Sequence, residues 1–383
     1  MRLLVVQPYV PAYRVPLFDL LAQRVRAAGG AFLVVHGPPP GAQARRRDAH
    51  AARWSHLVPE WRVGGGRLPE FVFRRIQPAA KCADVVVSEL AATAVHSLLL
   101  TCTRPDSVVL WGHGKNYVAE PSALDYAVEA RMARAAAVTM TYTESGRQSL
   151  IERGVPATKV RTLRNSTDTR RLREAAASTS EADLTRLRRD LGIGGRCALF
   201  VGGLDATKRV DFLLAAGRRA AELSDGFRLV MCGSGDQDDI VVATARREPW
   251  LVHFPTADAQ LLGQLSHLVD AVWMPGRIGL VAADAIALRL PVLTTASWHH
   301  APEAEYLQLG VNRHNLPDDP ASFAAAYLAR DDWRPLADLD GTVDLSIEGM
   351  ADRFLAACTD AFAGSENHQD DRDRGGSAHG LQQ

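Results

Sequence analysis

A chain of 383 residues is too long for one ordinary core, so two domains are expected. Its 44 basic residues match 44 acidic ones, and the zero net charge excludes a protein whose main work is coating nucleic acid, which needs excess Lys and Arg. Apolar content of 47% with 23% charged residues fits a globular chain able to bury sizeable cores.

In chain order, Leu3–Val6 reads as a buried strand and Leu17–Arg26 as the helix after it. Phe32–His36 reads as a second strand. Residues 37–66, rich in Gly, Pro and Arg, read as an irregular excursion. Asp84–Ser88, Ser107–Trp111, Ala137–Thr141 and Val160–Arg164 read as further strands, with helical sequence between them. Short, almost wholly apolar strands such as VVVS and SVVLW suit a parallel sheet covered on both faces. Residues 173–195 are polar and read as the linker between an N-terminal domain (1–172) and a C-terminal one (196–345). There the pattern restarts. Ala198–Val201, Arg228–Cys232, Leu251–Phe254, Ala271–Met274 and Pro291–Thr294 read as strands, and 209–223 as a helix. Residues 346–363 read as a helix crossing back to the first domain. Residues 364–383 have the composition of a disordered tail.

The five cysteines are scattered with no C-x-x-C pair, which suits buried thiols in a reducing compartment and disfavours a zinc site. The N-terminal apolar run is broken by Pro8 and Pro11, too short for a secretory signal, and no run approaches the roughly 18 apolar residues of a membrane span. A cytoplasmic location is expected.

The most informative stretch is PGRIGLVAADAIALRLPVL (275–293). A strand runs into Pro275-Gly276, and Leu280, Ala283, Ala287 and Leu290 then share a helical stripe. Where strand becomes helix, at Gly279 and Leu280, backbone N–H groups lack intrahelical partners and the helix dipole favours an anion such as a diphosphate. Asp284 lies about one turn further on, placed for a sugar hydroxyl. In WGHGKNY (111–117), His113 stands just past a strand end between Gly112 and Gly114, which would let another molecule approach the backbone. Lys115 and Asn116 follow on the same rim. Tyr13 and Arg14 lie in a Pro-bounded loop after the first strand, where a ring could stack on an acceptor and a guanidinium could meet a phosphate. Arg45-Arg46-Arg47, beside apolar residues, is a weak signal for peripheral contact with anionic lipid. GSGDQDD (233–239) comes too late and in the wrong register for a dinucleotide fingerprint, and Asp338-Leu339-Asp340 reads as loop rather than a metal motif.

LFVGGLDATKRVDFLLAA (199–216), the 275–293 stretch, HHAPEAEYLQLGVNRHNLP (299–317), QPYVPAYRVPLFDLLA (7–22) and YTESGRQSLIERGVPATKVRTLRNSTD (142–168) resemble, in order and spacing, the family-four retaining glycosyltransferases. The resemblance implies the GT-B fold, two facing Rossmann-like doubly wound domains with a cleft between them. It implies transfer of a sugar from a nucleotide-diphosphate donor to an acceptor hydroxyl, with no metal and no other cofactor. Lys208 matches the family's diphosphate-gripping lysine, in a loop that begins with Gly202 and Gly203. His113 stands where a functional histidine faces the donor sugar, and Glu303 falls in a stretch near the donor. Two departures stand out. Gly203 replaces the usual arginine, and Gly276 replaces the first of two acids, leaving Asp284 as the second; Arg277, next to Gly276, is a candidate substitute for the charge missing at 203. Hence two alternatives stay open, a catalytically silent nucleotide-sugar-binding homologue and a GT-B-type sugar-nucleotide epimerase. The Arg- and Ala-rich, Lys-poor composition points to a GC-rich bacterial genome. Donor sugar, base, acceptor and oligomeric state are not legible.

Overall fold

The computed structural model describes residues 1–44, 48–66, 68–115, 117, 122–296, 299–333 and 343–377. They form two compact units, one of Met1–Pro40, Ala49–Asn165 and Glu348–Gln383, the other of Gly41–Asp48 and Ser166–Ile347.

In the first unit, β1 (Arg2–Gln7), β2 (Ala31–His36), β3 (Ser55–Leu57), β6 (Val85–Glu89), β7 (Val108–Gly112), β8 (Val138–Thr141) and β9 (Val160–Thr162) make a parallel sheet in the order β3-β2-β1-β6-β7-β8-β9. Its central strands are apolar throughout because helices cover both faces; Val85, Val86 and Val87 are fully buried. The excursion expected to be irregular is instead β3 followed by the antiparallel hairpin β4 (Glu60–Gly65) and β5 (Leu68–Arg74). Both faces of β4 are largely exposed, so it lacks the alternating apolar signal of a half-buried strand.

The second unit repeats the plan. β10 (Cys197–Val201), β11 (Arg228–Cys232), β12 (Leu251–Phe254), β13 (Ala271–Trp273), β14 (Val292–Thr295) and β15 (Arg313–Leu316) form a parallel sheet in the order β12-β11-β10-β13-β14-β15. The edge strand β15, with its polar sequence RHNL, has no counterpart in the sequence reading.

Residues 173–195 are not a loose linker. Most of them lie in helices Thr169–Ala177 and Glu181–Asp190, and both helices belong to the second unit. Their side chains are polar, but Asp168 accepts from Arg171 N–H at 3.1 Å and Ser180 from Asp183 N–H at 3.2 Å, capping each helix start. Leu172 and Ala175 are buried on the inner face. The C-terminal helix runs Ile347–Ser377, beyond the point where composition suggests disorder. No proline interrupts it, and a polar helix satisfies its own backbone. Its buried Met350, Phe354 and Cys358 pack in the first unit, where the Phe354 ring meets Trp111 edge-on at 5.4 Å. Among the described residues no helix is long and apolar enough to cross a membrane. All five cysteines are unpaired.

Candidate functional site

In the second sheet the strand order reverses between β10 and β13. At such a switch point the loops leaving the carboxyl ends diverge and open a crevice. The loops here are 202–209 and 274–280, and they interlock. Arg277 N–H donates to Thr207 O at 2.8 Å. Asp205 caps the short turn Ala206–Lys208 by accepting from Thr207 N–H at 3.0 Å. The Lys208 side chain passes over Gly202, where an added Cβ would lie 3.6 Å from its Cε, and its ammonium donates to Arg277 O. That ammonium is also 4.0 Å from where a Cβ would stand on Gly279. Gly202, Lys208, Arg277 and Gly279 are thus brought together from segments some 70 residues apart in sequence. Gly203 lies in the same loop, its carbonyl accepting from Asp205 N–H at 3.1 Å.

Helical structure after Gly279 begins with Ala282 N–H donating to Gly279 O at 2.9 Å, and the helix proper is Val281–Ala287. Asp284 sits in its first turn, its Oδ1 accepting from Thr167 Oγ1 at 2.6 Å. Burial disfavours its charge more than the Thr167 hydrogen bond favours it, and its pKa is pushed up to about 6.

Gly276 occupies the position of the missing first acid, and a side chain has no room there. A Cβ would meet Thr207 O at 2.3 Å and Lys208 Cα at 2.8 Å, both backbone atoms. The loops press together at the point where a carboxylate would project.

Two residues outside the sequence reading complete the site. His300 Nδ1 accepts from Ile278 N–H at 3.3 Å. Burial, then the charges of Arg313 and Lys208, push its pKa down to about 4, so at neutral pH it is an uncharged clasp on the 276–278 loop. Arg209 adopts a left-handed φ of 56° and reaches Pro275 O at 3.4 Å and Thr295 Oγ1 at 3.2 Å, with an ion pair to Asp318. Its length and charge, next to Lys208, were the available signal. For His300 the only signal was its place in the segment 299–317. Glu303 is 4% exposed and packs with its turn against the helix Val281–Ala287.

In the first unit, His113 is exposed at the carboxyl end of β7, with its ring edge-on to Tyr142 at 4.6 Å. Lys115 is also exposed; Asn116 lies outside the described residues, as do Arg45-Arg46-Arg47 and Asp338–Asp340. The glycines around His113 do not leave its backbone open. A Cβ on Gly112 would meet Leu90 Cβ at 2.8 Å, and one on Gly114 would meet Gly146 O at 2.6 Å, so both serve packing within the protein. Tyr13 is 40% exposed, whereas Arg14 is 4% exposed. The Arg14 guanidinium lies 4.8 Å from the Trp111 ring centre and 5.1 Å from that of Tyr13, which corrects its reading as a phosphate contact. It is an internal cation–π strut.

Residues 195–329 match the family model described as Glycosyl transferases group 1. No curated protein matches the chain in sequence. Among solved structures, Anabaena Alr3699/HepE in complex with UDP superposes with a TM-score of 0.58 at 15% identity, covering 98% of this chain and 100% of that one. The α,α-trehalose 6-phosphate synthase of Burkholderia multivorans gives 0.62 at 17% identity, over 95% and 99%. The UDP-GlcNAc 2-epimerase of Methanocaldococcus jannaschii gives 0.55 at 12%, over 94% and 99%. At such identities the likeness speaks for the fold. The chain has the GT-B fold, and its residues 195–329 match the Glycosyl transferases group 1 model.

Proposed function

We propose that the protein is a retaining glycosyltransferase that moves a sugar from a nucleoside-diphosphate donor to an acceptor hydroxyl in the cytoplasm. The observation that carries this reading is the Lys208 ammonium beside Gly279 at the switch point between β10 and β13, within the matched domain. The donor's diphosphate would lie against that ammonium and the N–H groups at Gly279 and Leu280, and Asp284 would accept from the ribose hydroxyls. As the glycosidic bond to phosphate breaks, negative charge grows on the leaving diphosphate, and a fixed cation there lowers the barrier. This arrangement asks for no metal ion. Gly202 and Gly203 let the phosphates approach the backbone, and Arg277 supplies a second cation beside them. His113 and Lys115 at the carboxyl edge of the first sheet are proposed to handle the transferred sugar and the acceptor, with Tyr13 as a stacking surface. In retention the acceptor attacks from the face the leaving group departs, and the donor phosphate takes its proton.

The crowded glycine at 276 favours a second reading, in which the protein binds a nucleotide sugar without transferring it, or epimerises it with no acceptor. Purified protein incubated with a panel of UDP-, GDP- and dTDP-sugars, followed by mass spectrometry and proton NMR of the anomeric signals, separates these. The account expects transfer or donor hydrolysis with retained configuration, lowered about 10²–10³-fold by Lys208→Ala. Tight nucleotide binding without turnover would support the silent reading, and donor isomerisation the epimerase. Turnover indifferent to Lys208→Ala would remove the basis of all three.

A further inference from the structure

A buried ion-pair network in the first unit has no part in the donor site. Arg74, at the end of β5, is 2% exposed. Its Nε donates to Glu60 Oε2 at 2.6 Å, and its Nη1 pairs with Glu89 Oε2. Glu60 has both oxygens engaged by arginines of the hairpin, because its Oε1 also accepts from Arg62 Nε at 2.7 Å. The buried cation of the hairpin therefore has a carboxylate partner within the hairpin besides Glu89.

Glu89 differs. It is the last residue of β6, and the strand order of the first sheet reverses between β1 and β6. It therefore stands at this sheet's own switch point, where an open parallel sheet takes its ligands. Its register partner is Trp111, two residues before His113. Its Oε2 is held twice, by Arg74 and by His96 Nε2 at 3.1 Å, and His96 is itself 1% exposed. Among the described residues nothing bonds to Oε1, and the side chain remains 21% exposed. Burial opposes ionisation, but the His96 hydrogen bond and the Arg74 charge outweigh it and hold the carboxyl below its usual range. The outcome is an ionised carboxylate clamped by one oxygen and presenting the other at a ligand-binding edge.

We infer that Glu89 binds a hydroxyl of the acceptor through Oε1, with Arg74 and His96 as the residues that position it. The inference deepens the proposed glycosyl transfer and rests on it. A sugar or polyol hydroxyl donating to a fixed carboxylate makes a charge-assisted hydrogen bond without the entropy loss of ordering a mobile side chain.

The test uses the full chain, a UDP- or GDP-sugar as donor, octyl glucoside and octyl mannoside as acceptors, and Glu89→Gln. The variant keeps the shape, and Arg74 stays paired with Glu60. Acceptor KM should rise about tenfold or more, while the Kd for UDP or GDP on the same preparation holds. Glu89→Asp keeps the charge but retracts the oxygen by one methylene, so it should raise KM in the same direction even if the glutamine variant folds poorly. Glu70→Gln, in the hairpin but away from this edge, should leave KM alone. Unmoved acceptor KM in both Glu89 variants, or KM and nucleotide affinity failing together, overturns the inference. A wild-type protein that binds neither UDP nor GDP fails the parent reading, and the inference falls with it.

Discussion

Asp284 combines a cost to the fold with a use for the site. Its pKa, raised from 3.8 to about 6, means the folded state holds a proton more tightly than the unfolded chain. Its contribution to stability therefore declines as pH rises through that interval, and above it the charged residue costs about 3 kcal/mol. Asp284→Asn should relieve this, raising Tm at pH 8 while weakening nucleotide binding at least tenfold; a variant neither stabilised nor impaired would show an ordinary helix residue. For the wild type, nucleotide affinity measured by calorimetry should fall as pH drops through about 6, when the carboxylate protonates, and the asparagine variant should lose that step. His300 titrates lower, near 4, with the opposite sign: its depressed pKa favours the fold at higher pH. Global stability alone would blur the two, so the variant comparison is the sharper measurement. Gly276 makes a separate prediction. Because a Cβ there collides with the backbone of Thr207 and Lys208, Gly276→Ala must displace the lysine turn and should weaken nucleotide binding about tenfold or more. The sequence marked 276 as a glycine in place of an acid. That the position is closed to any side chain depends on two loops meeting, which no linear pattern shows. Arg14 failed as a phosphate contact for a related reason, since its aromatic partners Trp111 and Tyr142 lie far along the chain.

At the level of elements, legibility followed burial. β11 occupies the expected residues, because a strand covered on both faces is a short apolar run. β4 and β15 escaped because their pairing is not written in apolar alternation. Capping decided the segment read as linker: polar composition suggested a loop, while Asp168 and Ser180, each three residues ahead of an N–H they accept, specify helix starts. Asp168→Ala should cost about 1 kcal/mol in chemical denaturation. A change below about 0.3 kcal/mol would show that the helix does not depend on its cap.

Over the whole molecule, two successive runs of alternating strand and helix announce two doubly wound units, with 346–363 read as the return to the first, whereas the polar stretch 173–195 misplaces the boundary between them. The division falls at Asn165 and Ser166, and the chain rejoins the first unit at Glu348. The C-terminal helix is fastened there by Phe354 on Trp111, by Arg353 Nε donating to Leu163 O at 2.9 Å, and by Arg161 with Asp360 at 3.1 Å. Phe354 is fully buried, so Phe354→Ala should cost the first unit about 3–5 kcal/mol. The central claim belongs to the second unit. A crystal structure of the protein with a bound nucleoside diphosphate tests it most directly. The account predicts a phosphate oxygen within hydrogen-bonding distance of Lys208 Nζ and of the N–H groups at Gly279 and Leu280, with the ribose at Asp284. A diphosphate bound anywhere else, with Lys208 still turned onto the Arg277 carbonyl, would contradict it.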